Sequence, residues 1–556
     1  MDDTASFSLI TEPWIRCQLA DGSERLLSLT EVFDGSVRIL GLRGDSPTQD
    51  YAVLRILLAI FWRAHRHETA VAPGETFEFF DWREDTWLDA EEHGPDDAAL
   101  EYLEKHADRF DLLHPEHPFM QVRELHTAKG GSLSASRLVP EAEQSYFSMR
   151  AGQGLESLSL PEAARWLIHA QAYDYSGIKS GAVGDDRVKN NKGYPIGIGW
   201  TGATGGTTIL GRTLRETFVL NTAPEALVSR EGDQPVWERD PDGPAQRARV
   251  EPAGPADLAT WQSRRIRLDV TDGRVVSVLV SNGDQIPRAF ANVLHDPMTP
   301  YRFSSNKSTK TEDVFYPRPY DTDRMMWRSL EPLLALEGDV DLKKKEKPGL
   351  RPATLEALGK ARRGKLAEAQ QRVSIRLTSA SYGPQQSSAS TTVDTRIEIP
   401  LRLLDEDSPL LRRAVLDTAR STMDAGIALG SFGGRLLLAA GGDYTFQATQ
   451  TDAVLADLEP YFRRWLRSLD PATDLEPALA SWQRTVWDMI LDRAKVLLRG
   501  AGPKALIGRE ITQNDRTRTE TAGTAYAQLQ RDLRKALRLL PAPPSRTESP
   551  KETADV

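Results

Sequence analysis

Residues 173–212 read YDYSGIKSGAVGDDRVKNNKGYPIGIGWTGATGGTTILGR, and this stretch decides whether the fold is a nucleotide-binding one. Gly197, Gly199 and Gly202 match the dinucleotide pattern G-x-G-x-x-G. That pattern works only between a strand and a helix whose N-terminus faces a pyrophosphate. Here Tyr194-Pro195 precedes it, and Thr207-Thr208-Ile209-Leu210 follows with the β-branching of a strand. No helix and no nucleotide cofactor are expected there. What remains is a long segment with ten glycines, at 177, 181, 184, 193, 197, 199, 202, 205, 206 and 211, interleaved with Lys179, Arg187, Lys189 and Lys192. Glycine lets a backbone approach another molecule closely, at an entropic cost of roughly 0.5–1 kcal/mol per residue. Cations between exposed N–H groups suit phosphates or a nucleic-acid groove. The plain alternative is a surface loop tied down by its neighbours, although ordinary connections run only about 4–6 residues.

At 556 residues the chain is expected to form roughly two to four domains. Its one cysteine, Cys17, excludes an intramolecular disulfide and a multi-cysteine zinc site, and reads as a core residue. Residues 1–30 lack a signal peptide's basic start and apolar run, and no apolar run approaches the ~20 residues of a membrane span. A cytoplasmic location is the expectation. The formal charge of −10 argues against a protein that coats nucleic acid with its whole surface. Local basic faces remain open: residues 343–372 carry ten Lys/Arg against three Glu, and 501–540 carry eight against four acids. A solvated charged face is the plain reading of either run.

Residues 6–16, SFSLITEPWIR, alternate like a strand. Ser46-Pro47 reads as an N-cap and first helical residue, with Leu54, Leu57, Leu58 and Phe61 at helical spacing behind it. A helix is expected over 97–109, a loop over 144–160, a helix over 161–173, and mostly strands over 209–300, with Asp272-Gly273 turning a hairpin. His114, Glu116 and His117 have metal-ligand chemistry, but two prolines and no third histidine nearby favour a structural turn. Two strand-like pieces flank the polar loop Ser381–Ser388. From Ser408-Pro409 the periodicity is helical, with four helices expected at about 409–430, 452–469, 477–499 and 521–540. In the third, Leu479, Trp482, Val486, Met489 and Leu497 form one apolar stripe. Four amphipathic helices on short connections read as a four-helix bundle. The division expected is 1–400, 401–541 and a disordered Pro/Ser/Glu-rich tail, 542–556. No G-x-S-x-G, Walker A, H-E-x-x-H or C-x-x-C is present, which argues against an enzyme.

Several pieces in their order, SFSLITEPWI, HPEHPFMQ, Gly152-Gln-Gly154, SGIKSG and Gln385-Gln386 ahead of a helical C-terminal part, resemble one family. It is the CasA family, the large subunit of the type I-E CRISPR surveillance complex, Cascade. The resemblance implies an α+β fold: a large mixed N-terminal domain particular to the family, then an all-α four-helix bundle. It implies a non-enzymatic subunit that recognises the protospacer-adjacent motif in double-stranded DNA, starts strand opening and docks the system's helicase-nuclease. Its implied partners are the other Cascade subunits, the CRISPR guide RNA, target DNA and that helicase-nuclease. Carried over by motif, the minor-groove glycine loop falls at Ser176, Gly177, Ile178 and Lys179. The glutamine wedge falls at Gln386, with Gln385 beside it reading the groove. The loop at the guide RNA's 5′ handle falls at 144–160, with Phe147 its aromatic and Gln153 in its Gly-Gln-Gly turn. A cationic finger falls near Asn282–Arg288, where Arg288 is the available cation. Arg516, Arg518, Arg531, Arg534 and Lys535 are expected near the displaced strand or the helicase-nuclease. The family's cysteine-held zinc is ruled out by Cys17 standing alone, and no cofactor is expected. The rival reading is a stand-alone nucleic-acid-modifying enzyme with its site in the glycine-rich cleft.

Overall fold

Ser46 begins the central helix of the molecule, Pro47–Ala64, by accepting a hydrogen bond from the Gln49 N–H, with Pro47 in the first turn. In this computed structural model the described residues are 6–67, 78–140, 156–248, 250–321, 325–339, 346–360, 366, 371–469, 473–513 and 516–538. The chain divides into two compact units, Met1–Arg412 and Arg413–Val556, and mixes helix and strand throughout.

In the first unit the Pro47–Ala64 helix is buried on nearly all sides, Leu54, Leu57, Leu58 and Phe61 included. Helix Leu160–Tyr173 packs on it, capped by Ser159, whose Oγ accepts from the Glu162 N–H. An antiparallel hairpin, Arg264–Thr271 with Arg274–Asn282, turns at Asp272 and Gly273, whose φ values of 50° and 70° suit a tight two-residue turn. A second antiparallel sheet has the order Ala389–Pro400, Arg372–Tyr382, Gly206–Leu210. Its edge strand is the end of the glycine-rich stretch, so that stretch and the Ser381–Ser388 loop hang from one sheet.

Several expectations need correction. Residues 6–14 do not form a strand beyond a bridge at Ser8: Pro13 interrupts the run, and regular pairing begins at Ile15. Between 213 and 260 short helices replace strands, at Leu214–Leu220, Pro224–Leu227 and Pro255–Ala259. Thr213 caps the first of these through the Glu216 N–H. One helical turn, Trp200–Ala203, does open within the G-x-G-x-x-G run, with Gly199 as its N-cap. Its N-terminus is buried against the chain, since a Cβ on Gly199 would lie 2.6 Å from the Gln171 carbonyl oxygen, so no phosphate could reach it. His114 Nδ1 accepts from the N–H groups of Glu116 and His117, at 3.1 and 2.9 Å, which makes this segment a turn.

In the second unit the first long helix runs Pro409–Ala439, nine residues past its expected end. Glycines at 430, 433 and 434 do not break it; they admit close neighbours. A Cβ on Gly430 would lie 2.4 Å from Thr451 Oγ1, and one on Gly434 2.7 Å from the Tyr444 ring. Helices Ala448–Ser468, Leu475–Gly500 and Ala522–Ala536 follow. The buried stripe of the Leu475–Gly500 helix is Trp482, Val486, Ile490 and Ala494, in steps of four, while Leu479, Met489 and Leu497 are only half-buried. Trp482 packs edge-on against Phe462 with ring centroids 5.2 Å apart and donates to Thr422 Oγ1 at 3.0 Å. The unit is not all-α: Arg509–Gln513 and Arg516–Glu520 pair as an antiparallel hairpin. Their Ile and Thr residues favour extended backbone, and the buried Glu520 carboxylate anchors the hairpin to Arg435 at 3.2 Å.

Candidate nucleic-acid interface

The hairpin strands Arg372–Tyr382 and Ala389–Pro400 present a tip at Pro384–Gln386. The tip is closed by bonds from the Gly383 N–H to the Ser388 carbonyl (3.0 Å) and from the Gln386 N–H to the Gly383 carbonyl (2.9 Å). Gly383 takes an ordinary φ of −64°, so it is not the residue that allows the turn. The left-handed positions are Gln385 and Gln386 themselves, at φ 56° and 57°. Non-glycine residues held there store of order 1–3 kcal/mol each, a feature that concentrates at functional sites. Both side chains are exposed.

The glycine loop meets this tip. The Ser176 N–H donates to the Gln386 carbonyl at 2.7 Å, and the Tyr382 hydroxyl donates to the Tyr173 carbonyl at 3.0 Å. Ser176 is buried, its Oγ accepting from the Gly197 N–H at 3.2 Å. Gly202 is required under the tip, because a Cβ there would lie 2.4 Å from the Tyr382 hydroxyl. Ile178 projects outward, 59 % exposed. Two segments more than two hundred residues apart in sequence thus form one continuous edge.

Beneath the edge lies a buried knot that sequence reasoning missed. The Asp174 carboxylate takes Arg264 Nε at 2.6 Å, Arg137 Nη2 at 2.6 Å and Lys179 Nζ at 2.9 Å. Arg264 Nη2 also donates to the carbonyls of Asp174, Tyr175 and Gly197, at 3.0, 2.9 and 3.0 Å. Arg137 and Lys179 stand over the Tyr175 ring, 4.8 and 4.0 Å from its centroid. Burial opposes ionisation of Asp174, but the cations Arg264, Arg137 and Lys179 outweigh it and hold the carboxyl well below its usual range.

Lys179 is therefore not one of the open cations that the glycine-and-cation pattern suggested. It is 5 % exposed, and its role in the structure is to pin the loop's base. Arg187 is likewise engaged, by Asp185 at 2.9 Å. Lys189 and Lys192 are exposed, flanking a turn at Asn190 and Asn191 with φ 53° and 59°, and Arg212 at the end of the stretch is exposed but paired with Glu91 and Glu216. Burial pushes the Lys179 ammonium from 10.5 down to about 8, with Asp174 opposing and Arg264 and Arg137 adding to the fall. Between those values the unfolded chain holds a proton the folded chain has lost, so stability from this residue rises with pH. The wild type should gain stability relative to Lys179→Met as pH is raised through that window, in paired denaturant titrations. A flat difference would mean that Lys179 is solvated.

Arg288 is exposed in the turn Pro287–Phe290 at φ 52°, and among the described residues no hydrogen bond or ion pair joins it to either loop. Phe147 and Gln153 lie outside the described residues. In the second unit Arg518 faces Glu520 at 3.6 Å, Arg531 donates to Gln528 Oε1 at 2.6 Å, and Arg534 lies 5.6 Å from the Trp487 ring centroid. Lys535 is exposed on the same helix, and Arg516 belongs to the hairpin strand Arg516–Glu520.

The family model described as CRISPR-associated protein Cse1 matches residues 8–493, and the chain belongs to that family. The crystal structure of Thermobifida fusca Cse1 superposes with a TM-score of 0.83 at 35 % identity, covering 97 % of this chain and 99 % of that one. A CRISPR-associated protein CasA/Cse1 from Thermus thermophilus is 27 % identical over 285 residues, or 49 % of this chain. The match spans about half of that relative's length, 51 %. A chain of a CRISPR RNA-guided surveillance complex shares the fold, with a TM-score of 0.69 at 18 % identity over 96 % of this chain and 99 % of that one.

Proposed function

We propose that this protein is the DNA-recognition subunit of a CRISPR RNA-guided surveillance complex. It reads the protospacer-adjacent motif through the minor groove, wedges the duplex to start an R-loop, and docks the helicase-nuclease. The observation that carries the reading is the hydrogen-bonded junction of Ser176 with Gln386, which puts two exposed left-handed glutamines beside a glycine loop. The minor groove offers a degenerate pattern, largely A·T against G·C, which backbone groups and amides can read. An uncharged side chain can enter the stack, where unstacking costs a few kcal/mol per step. In this reading Gly177 and Ile178 touch the groove by backbone and apolar contact, the buried Ser176 ties their loop to the tip, Gln385 reads the groove and Gln386 is the wedge. Lys189 and Lys192 replace Lys179 as the phosphate cations, and Arg288 remains the candidate finger.

Phe147 and Gln153 anchor the subunit at the guide RNA's 5′ handle among the other Cascade subunits. The four long helices of the second unit act as a bundle, whose Arg516, Arg518, Arg531, Arg534 and Lys535 steer the displaced strand or the helicase-nuclease. The protein works in the cytoplasm and without catalysis of its own. The enzyme rival gains little from the glycine-rich stretch, where two of the three carboxylates, Asp174 and Asp185, are engaged by cations and the third, Asp186, is exposed.

Co-expression with the other subunits should yield one particle containing guide RNA. The isolated protein should bind duplex DNA weakly, with a log–log salt slope of about −0.9 per neutralised phosphate. Tight, motif-specific binding by the isolated protein, or failure to enter the particle, would count against the assignment.

A further inference from the structure

Helix Leu160–Tyr173 ends at Tyr173, whose carbonyl is among the last four that no intrahelical N–H reaches. It accepts instead from the Tyr382 hydroxyl at 3.0 Å, across 209 positions of sequence. The next two carbonyls, of Asp174 and Tyr175, accept from Arg264 Nη2 at 3.0 and 2.9 Å. The Ser176 N–H then donates to the Gln386 carbonyl at 2.7 Å. Each residue from Tyr173 to Ser176 is thus held by a partner remote in sequence. The first and last of those partners belong to the hairpin that carries Gln385 and Gln386. The hairpin therefore grips the base of the glycine loop at both ends.

Three features place Tyr382 for this. It is the last residue of strand Arg372–Tyr382, next to the tip. The pairing shifts there: Ser381 stands opposite Thr391 and Tyr382 opposite Ala389, so Ser390 is an extra residue in the partner strand. Such a bulge bends the strand and re-aims side chains, and bulges gather beside functional sites. Gly202 supplies the space, since a Cβ on it would lie 2.4 Å from the hydroxyl. Burial, with the Asp174 carboxylate adding to it, pushes the Tyr382 hydroxyl well above its ordinary range, so it stays protonated and remains a donor. Pro384, Gln385, Gln386 and Ser387 are all exposed, so the joint at their base sets where the two glutamines stand.

We propose that Tyr382 is a positioning residue, whose bond to Tyr173 fixes the glutamine tip in register with the glycine loop. The loop's seat in the minor groove then sets where Gln386 meets the base-pair stack. Tyr382 touches no DNA in this arrangement; it acts through Gln386. The role rests on the DNA-recognition reading and adds to it a rigid link between motif reading and wedging. A tip held in its working position beforehand avoids the ordering cost that binding would otherwise have to meet. The plain alternative is a helix cap with no bearing on DNA, and the two differ in what they do to opening.

The test uses the assembled complex with guide RNA and measures R-loop formation on two targets, a matched duplex and one whose first base pairs are already unpaired. Wild type, Tyr382→Phe, Gln386→Ala and the double variant are compared, with thermal melting to check that each folds. Tyr382→Phe keeps the ring and removes one neutral hydrogen bond, so opening of the matched duplex should slow roughly three- to tenfold. The pre-opened target should restore the rate. Because Tyr382 acts through Gln386, Tyr382→Phe should add nothing in the Gln386→Ala background. A residue that only capped the helix would slow both targets alike. Equal slowing on the two targets, no slowing on either, or a full further loss on top of Gln386→Ala overturns the proposal. If Gln386→Ala acts and Tyr382→Phe does not, the wedge stands and the joint alone is wrong. If Gln386→Ala itself leaves opening intact, the wedge reading falls and the role of Tyr382 falls with it.

Discussion

Asp174→Ala should destabilise the first unit by about 3–5 kcal/mol, the usual result of removing one partner from a buried charge group. The change leaves Arg264, Arg137 and Lys179 facing one another with no counter-charge, and Arg264 is 1 % exposed. Urea unfolding should show a lower midpoint at unchanged slope, which identifies lost stability and not a changed denatured state. Asp174→Asn keeps the shape but not the charge, and should recover little of the loss. Arg264→Met alone should also destabilise, because three loop carbonyls lose their donor. Combining Arg264→Met with Asp174→Asn should cost less than the two separate losses added, since each removes part of the other's penalty. A cost below about 1 kcal/mol for Asp174→Ala would show the cations to be solvated, as exposed pairs are. The knot holds Asp174, Tyr175 and Gly197, so milder changes there should loosen the Ser176–Gln386 junction before they unfold the unit.

Gln386→Ala should impair opening of a matched duplex by the assembled complex, and a target whose first base pairs are already unpaired should rescue it. If Gln386 is the wedge, its work is to offset an unstacking cost of a few kcal/mol, and the pre-opened target has no such cost. Gln385→Ala should instead reduce discrimination between good and poor motifs while leaving opening on the best motif nearly intact. The backbone supports a split of roles, because successive left-handed residues turn their side chains in different directions from one stiff tip. The glycine counterparts Gln385→Gly and Gln386→Gly separate strain from chemistry. Each relieves the left-handed backbone, so each should raise stability slightly while losing the same function as the alanine variant. Equal loss on matched and pre-opened targets, or no loss on either, removes the wedge assignment.

Local chemistry in the sequence determined much of this protein. The Ser46-Pro47 cap with its apolar spacing, the Asp272-Gly273 turn and the helical periods after Ser408 each depend on residues within a few positions. Such interactions can be read without knowing what packs against them. The order of short motifs carried the family resemblance, and through it the expected position of both proposed groove loops. Tertiary structure decided the rest. Whether a glycine marks a ligand or a neighbour depends on what stands beside it: Gly199, Gly202 and Gly430 all face the chain itself. Whether a lysine is a phosphate contact or a buried pin depends on a carboxylate and an arginine, and Lys179 met both in Asp174 and Arg264. The Asp174–Arg264 pair spans ninety residues, the Ser176–Gln386 bond more than two hundred, and the Arg376–Arg396 pairing needs the register of two long strands. Local pattern cannot carry these contacts, because their free energy comes from groups that only the folded chain brings within reach.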